Sequence, residues 1–204
     1  GIFLVATNPV DIMTQITCEL SCFDPQRVIG TGTTLDTARL RYLVGAYFRV
    51  DPRNVHAYVM GEHGDSEFVP WSQALISTVP VTQLITHSEG RFRFEELEQI
   101  GEEVRTAAQR IIAAKRATYY GIGMAMVRIT RAVFGDEQSV LTVSTMLRGE
   151  YGQRDLFVGV PSIVGGDGVR RILPLSLTDR ELEQMAASCD TLRRNSGRDA
   201  LTTH

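Results

Sequence analysis

The chain has 204 residues, 43% of them apolar, and a formal net charge of −3, which suffices for one or two hydrophobic cores. No basic block or interleaved aromatic stripe is present, which argues against a nucleic-acid partner, and no apolar run approaches the ~20 residues that span a bilayer. Cys18, Cys22 and Cys189 are odd in number, the first pair lies on one helical face rather than in a zinc knuckle, and the apolar start lacks a charged leader; three reduced thiols in a cytoplasmic protein are expected.

Residues 2–7 form a continuous apolar run, the pattern of a strand buried on both faces of a parallel sheet. Asn8-Pro9 ends it, and Ile12, Met13, Ile16 and Leu20 then recur at helical spacing through residues 10–20. Val28-Ile29-Gly30 reads as a second short buried strand, and Thr34-Leu35-Asp36 opens a helix running to about Phe48. Asp51-Pro52-Arg53-Asn54 is a turn before a strand over Val55–Met60.

Further on, Leu97, Ile100, Val104, Ala108 and Ile111 mark a long amphipathic helix from Phe94 to Lys115, and a second helix is predicted from about Ala117 to Phe134. Ser139–Ser144 and Leu156–Val164 read as strands, with Gly165-Gly166-Asp167-Gly168 as a hairpin turn into Val169–Leu173. Thr178, with Glu181 three residues on, forms a capping box for a last helix to about Arg194.

The chemistry concentrates in two places. His63 stands in Gly61-Glu62-His63-Gly64-Asp65-Ser66-Glu67, between glycines that let backbone and ligand approach closely. Histidine titrates near neutral pH, and an aspartate can fix its tautomer and stabilise its charged form. Asp36 and Arg39 share a helical face three positions apart, and the planar fork of arginine matches a carboxylate. Read alone, Asp36 is a helix N-terminal carboxylate and Arg39 a surface charge. Asn8 ends a strand at the carboxyl edge where open α/β sheets bind ligands. Gly30-x-Gly32 lacks the third glycine of a phosphate loop, and Gly121-x-Gly123 falls inside a helix. Glu62, His63 and Asp65 diverge from one strand end, so no metal site is expected.

At these residues the chain resembles the L-lactate dehydrogenases of the lactate/malate dehydrogenase superfamily, of the allosteric bacterial type. The agreement runs through Ala6-Thr7-Asn8-Pro9-Val10-Asp11, Ile29-Gly30-Thr31-Gly32-Thr33, Leu35-Asp36-Thr37-Ala38-Arg39-Leu40-Arg41, the His63 segment and Lys115-Arg116-Ala117-Thr118-Tyr119-Tyr120-Gly121-Ile122-Gly123, in the family's order and over essentially the whole chain. Glu62 looks like the lactate branch, since malate enzymes usually carry glycine there. The resemblance implies an α/β fold in which residues 1–32 are the last strands of a Rossmann-type NAD-binding sheet and residues 33–204 a mixed α+β substrate domain. It also implies that a Gly-rich dinucleotide-binding half and a mobile substrate loop are missing before Gly1.

The function so implied is reversible hydride transfer between NADH and pyruvate, giving L-lactate. His63 is then the general acid and base, Asp36 its partner, and Arg39 the clamp on the substrate carboxylate. Asn8 and Thr118 border the substrate, while Ala6, Thr7, Asn8, Thr31 and Ile122 meet the NAD cofactor. Arg41 and His56, singly a solvated charge and an ordinary polar residue, match the pair that binds fructose 1,6-bisphosphate at a subunit interface, and a homotetramer is implied. The alternatives are a malate dehydrogenase of the lactate-like type, or a catalytically incompetent fragment if the polypeptide begins at Gly1.

Overall fold

In the computed structural model, residues 1–115 and 119–197 are described. The chain opens with strand β1 (Phe3–Val5), helix α1 (Val10–Ser21) and strand β2 (Val28–Gly30), a right-sized crossover for the parallel pairing of β1 with β2. Pro9 at the N-cap and Asp11 in the first turn suit the start of α1; it stops where Cys22 turns left-handed, at φ 55°. Helix α2 (Thr34–Phe48) follows at once, then the short strands β3 (Val55–His56), β4 (Leu75–Ile76) and β5 (Val79–Pro80), and helices α3 (Val81–Thr86), α4 (Phe94–Lys115) and α5 (Tyr120–Phe134). Strands β6 (Ser139–Arg148), β7 (Arg154–Gly165) and β8 (Gly168–Ile172) form an antiparallel meander, and α6 (Asp179–Asn195) starts on the predicted Thr178–Glu181 capping box.

A single mixed sheet runs β1-β2-β6-β7-β8. Its parallel end meets its antiparallel end at one residue pair, Gly30 opposite Ser144. Gly30 is required there: a Cβ would lie 2.3 Å from Thr14 Oγ1 of α1 and 2.7 Å from Ser144 Cβ. Strands β3, β4 and β5 make a separate antiparallel sheet. One core packs Leu40, Val44 and Phe48 of α2 against Val55, Ala57, Val59, Leu97 and Val104. A second packs Met60 and Phe68 against β7 and against Met185, Cys189 and Leu192 of α6.

Three predicted strands differ from those observed, and the one placed at Ser139–Ser144 runs on to Arg148. The apolar run at residues 2–7 narrows to the strand Phe3–Val5, which pairs with β2. The strand predicted over Val55–Met60 is a strand only at Val55 and His56, and Met60 pairs again in an isolated antiparallel bridge with Phe68. Between these, the chain sinks into the core, where side chains of α2 replace a strand partner. Thr37 Oγ1 accepts from the Val59 N–H at 2.9 Å, and Thr33 Oγ1 donates to Val59 O at 2.7 Å. The strands β4 and β5 and helix α3 are too short to announce themselves by periodicity. The predicted start of the second long helix, near Ala117, lies outside the described residues, and Tyr120 is the first helical residue of α5.

Candidate functional site

The His63 loop is fastened at its base by backbone. The Gly61 N–H donates to Gly159 O on β7 at 2.9 Å, and the Gly159 N–H returns a bond to Gly61 O at 3.0 Å. Neither position tolerates a side chain. Gly61 has φ 97°, and its Cβ would lie 2.6 Å from Ser188 Oγ on α6; a Cβ at Gly159 would lie 2.8 Å from Gly61 O. Ser188 Oγ also accepts from the Glu62 N–H at 2.7 Å, and the Glu62 side chain is engaged by the Ser66 hydroxyl. Glu62 therefore serves to brace the loop.

Three acidic side chains surround His63. Asp36, in the first turn of α2 and 2% exposed, brings Oδ2 to 2.8 Å from His63 Nδ1. The two atoms are not aligned for a hydrogen bond, so the contact is a close ion pair. Glu67 Oε2 is 3.9 Å from the same nitrogen. Asp11, in α1, accepts the backbone N–H of His63 on Oδ2 at 2.8 Å. Burial disfavours the imidazolium, but the close contact and charge of Asp36, then the charges of Glu67 and Asp11, outweigh it and raise the His63 pKa to about 9. Burial and the neighbouring Asp36 charge push Glu67 upward, as expected when one cation faces two carboxylates. Burial likewise lifts Asp11 to about 6.

Arg39 completes the group. Its Nη1 donates to Asp36 Oδ1 at 3.1 Å, so the two oxygens of one carboxylate separately face a guanidinium and an imidazole. Gly121, at the start of α5, packs beside this point: a Cβ there would lie 3.2 Å from the Leu35 methyls and 3.7 Å from Arg39 Nη2. Ile122, half-buried in the same turn, is thereby near the Arg39 end of the site. Thr118 lies outside the described residues.

At the carboxyl edge of the β1–β2 pair, Ala6 is half-buried, and Thr7 and Asn8 are exposed. Thr31 is 2% exposed, its N–H donated to Val5 O at 2.9 Å. Asn8 is three residues from Asp11, which puts this edge and the His63 loop at one corner of the fold. Arg41 stands apart from the His63 group. Its Nε donates to Ala57 O at 3.0 Å, and its guanidinium lies 4.9 Å from the centroid of the Tyr58 ring. Ala57 adjoins exposed His56, so these two residues share a stretch of surface. Burial lowers the Arg41 pKa, and the charge of Arg128 on α5 adds to that effect.

Asp36, His63 and Glu67 each offer a ligand atom, all within 4.8 Å of one another. Nδ1 and Oδ2 at 2.8 Å, however, are closer than the ~3.3 Å between ligands on a tetrahedral ion with bonds near 2 Å. Asp36 also already holds Arg39. The trio is built as an ion-pair network.

Residues 33–199 match the family described as lactate/malate dehydrogenase, alpha/beta C-terminal domain. The chain belongs to the lactate/malate dehydrogenase family. L-lactate dehydrogenase 2 of Bacillus anthracis is 50% identical over 193 residues, covering 95% of this chain and 61% of that protein. L-lactate dehydrogenase of Bacillus pumilus is 51% identical over the same shares. Among solved structures, the minor L-lactate dehydrogenase of Enterococcus mundtii in its ligand-bound form superposes with TM-score 0.93 at 45% identity, over 100% of this chain and 64% of that one. A lactate dehydrogenase from a deep-sea metagenome gives TM-score 0.92 at 47% identity, over 96% and 62%. The chain thus spans about three fifths of the length of the curated relatives it matches. Among the described residues, no helix is long and apolar enough to cross a membrane.

Asp11, Glu67 and Ser188 are the site residues that sequence reasoning passed over. Asp11 and Glu67 fall inside quoted motifs, but an acid in a first helical turn and an acid four residues past a histidine both have ordinary readings. Ser188 carries no local signal at all: only the packing of α6 on the His63 loop makes it a partner.

Proposed function

We propose that this chain is the proton-handling and acid-binding part of an NAD-dependent L-lactate dehydrogenase that interconverts pyruvate and L-lactate. The observation that carries the reading is the Arg39–Asp36–His63 arrangement, in which one buried carboxylate orders a guanidinium and an imidazole side by side. The relatives named above are L-lactate dehydrogenases, which supports pyruvate over oxaloacetate.

In this reading Arg39 binds the substrate carboxylate. Among the described residues its bond to Asp36 uses Nη1 alone, which leaves the rest of the fork for an acid. His63, cationic at neutral pH, gives its proton to the ketone oxygen as pyruvate is reduced, and takes it back in lactate oxidation. Asp36 steadies the imidazolium, and half-buried surroundings strengthen both contacts. NAD, when bound, supplies the hydride chemistry. Exposed Thr7 and Asn8, with Ala6 backbone, suit the polar nicotinamide end at the carboxyl edge of β1–β2. Ile122 provides an apolar wall, Thr118 a substrate contact and Thr31 a cofactor contact.

The division at residue 32, with a cofactor sheet before it and a substrate domain after it, belongs to the same proposal. So do a cytoplasmic setting, which the three unpaired thiols suit, a homotetramer, and fructose 1,6-bisphosphate bound at Arg41 and His56. The deciding experiment is steady-state reduction of pyruvate and of oxaloacetate by NADH, in wild type and His63→Gln. A preference for pyruvate, lost by about 10²-fold or more in the variant, is expected from the removal of a general acid. Preference for oxaloacetate, or unaltered turnover in His63→Gln, overturns the reading.

A further inference from the structure

We propose that Asp11 is a positioning residue for His63: its buried carboxylate grips the histidine backbone, sets the imidazole against Asp36, and contributes negative charge beneath it. The inference rests on the proton-transfer role given to His63 above and assigns a part of that role to a residue on a different element.

Asp11 is 2% exposed and accepts the His63 N–H on Oδ2 at 2.8 Å. Its other oxygen, Oδ1, is buried as well, and the Ser144 hydroxyl of β6 lies close enough to the carboxylate to favour its charged form. A peptide N–H is satisfied by a neutral acceptor, and a carboxylate is among the costliest groups to bury. A buried acid at this point is accounted for when its charge, and not only its lone pair, is used.

Its own placement is rigid. Thr14, one turn further along α1, is fully buried, donates to Val10 O at 2.6 Å, and sits against Gly30 so closely that a Cβ at Gly30 would overlap Thr14 Oγ1 and Ser144 Cβ. The first turn of α1 is therefore seated on the single-pair junction of β2 and β6, and Asp11 projects from that seat to the His63 loop. His63 is tethered at three points: Gly61 to Gly159 below it, Asp11 at its backbone, and Asp36 at its ring. The charged groups facing His63 are Asp36 from α2, Glu67 and Asp11, with Arg39 acting through Asp36. Those facing Asp11 are His63, Glu62 and the Cys189 thiol of α6.

The test compares wild type, Asp11→Asn and Asp11→Ala in the intact enzyme by two readouts. The first is the pH dependence of His63 carbethoxylation by diethyl pyrocarbonate, followed by mass spectrometry, which reports neutral imidazole without requiring turnover. The second is the kcat and KM for pyruvate. Asp11→Asn keeps an acceptor for the N–H but loses the charge; the carbethoxylation midpoint should fall by about half a pH unit or more, with kcat reduced less than about tenfold. Asp11→Ala also frees the backbone, and kcat should fall about 10²-fold, the scale of a misplaced catalytic group, while KM changes little because Arg39 is untouched. If Asp11→Ala fails to fold, the isosteric Asn variant alone carries the midpoint test. A midpoint and a kcat within twofold of wild type in the folded variants overturn the inference, as does a loss confined to KM. Should wild type fail to reduce pyruvate while the midpoint still shifts, the lactate dehydrogenase reading falls and the positioning role of Asp11 stands.

Discussion

Asp36 and His63 meet at 2.8 Å, carboxylate oxygen to Nδ1, without the alignment of a hydrogen bond. What passes between them is charge, and the His63 pKa near 9 follows mostly from Asp36 overcoming burial. Asp36→Asn keeps the shape and removes the charge. The alkaline limb of the pyruvate-reduction profile should move from about 9 toward the ordinary histidine value of 6.5, and kcat/KM at pH 8 should drop by about 10²-fold or more. A pH–rate profile from 5 to 10 checks both; an unmoved alkaline limb would remove Asp36 from this role.

The same shift has a consequence for stability. A histidine whose folded pKa lies above its unfolded value contributes stability that is complete below about 6.5 and is lost as pH rises through about 9. The shift sets an upper bound of roughly 3 kcal/mol. Wild type should therefore lose more melting temperature than His63→Gln between pH 6.5 and 9.5, while the two run closer to parallel below pH 6. Parallel melting curves across the alkaline window would contradict the raised pKa.

Much of this was legible from residue types and spacing. Helices α1 and α4 follow from apolar periodicity, which a long element repeats several times over, and α6 from Thr178 with Glu181. The strand at Val55 was overextended because Ala57, Val59 and Met60 are as apolar as a strand requires; that Thr33 and Thr37 of α2 take up the backbone groups of Val59 is a tertiary fact. Asp36, Arg39 and His63 are found together as their motifs suggest. Asp11 and Ser188 converge on the same loop from helices 52 and 126 residues away in sequence, a separation across which no local pattern reaches.

Arg39→Lys separates binding from chemistry. Lysine is a point charge without the fork, and it cannot hold Asp36 Oδ1 and a substrate carboxylate in the geometry that guanidinium allows. KM for pyruvate should rise about tenfold or more, equivalent to roughly 1.4 kcal/mol of lost binding, with a smaller fall in kcat. An unchanged KM in steady-state assays would place Arg39 outside the acid-binding site.

Gly30→Ala tests the junction that seats α1. The added methyl would lie 2.3 Å from Thr14 Oγ1 and 2.7 Å from Ser144 Cβ, both on buried residues with little room to yield. Overpacking of this kind costs about 1–3 kcal/mol. Urea unfolding should show a lower midpoint with an unchanged slope, and a midpoint equal to wild type would mean the junction is looser than its geometry implies.

Arg41→Gln addresses the effector proposed at the subunit surface. The Arg41 guanidinium is held over Tyr58 and tied to Ala57 O, adjacent to exposed His56, with the Arg128 charge nearby. Positive groups gathered at an interface repel one another, and a bisphosphate would relieve that repulsion, linking its binding to assembly and to substrate affinity. Wild type should show a lower pyruvate KM when fructose 1,6-bisphosphate is added, and the ratio of KM values without and with effector should fall to about one in Arg41→Gln, since a neutral amide cannot pair with phosphate as arginine does. A wild-type ratio of one removes the effector from the proposal. A preserved ratio in Arg41→Gln moves its site elsewhere on the surface.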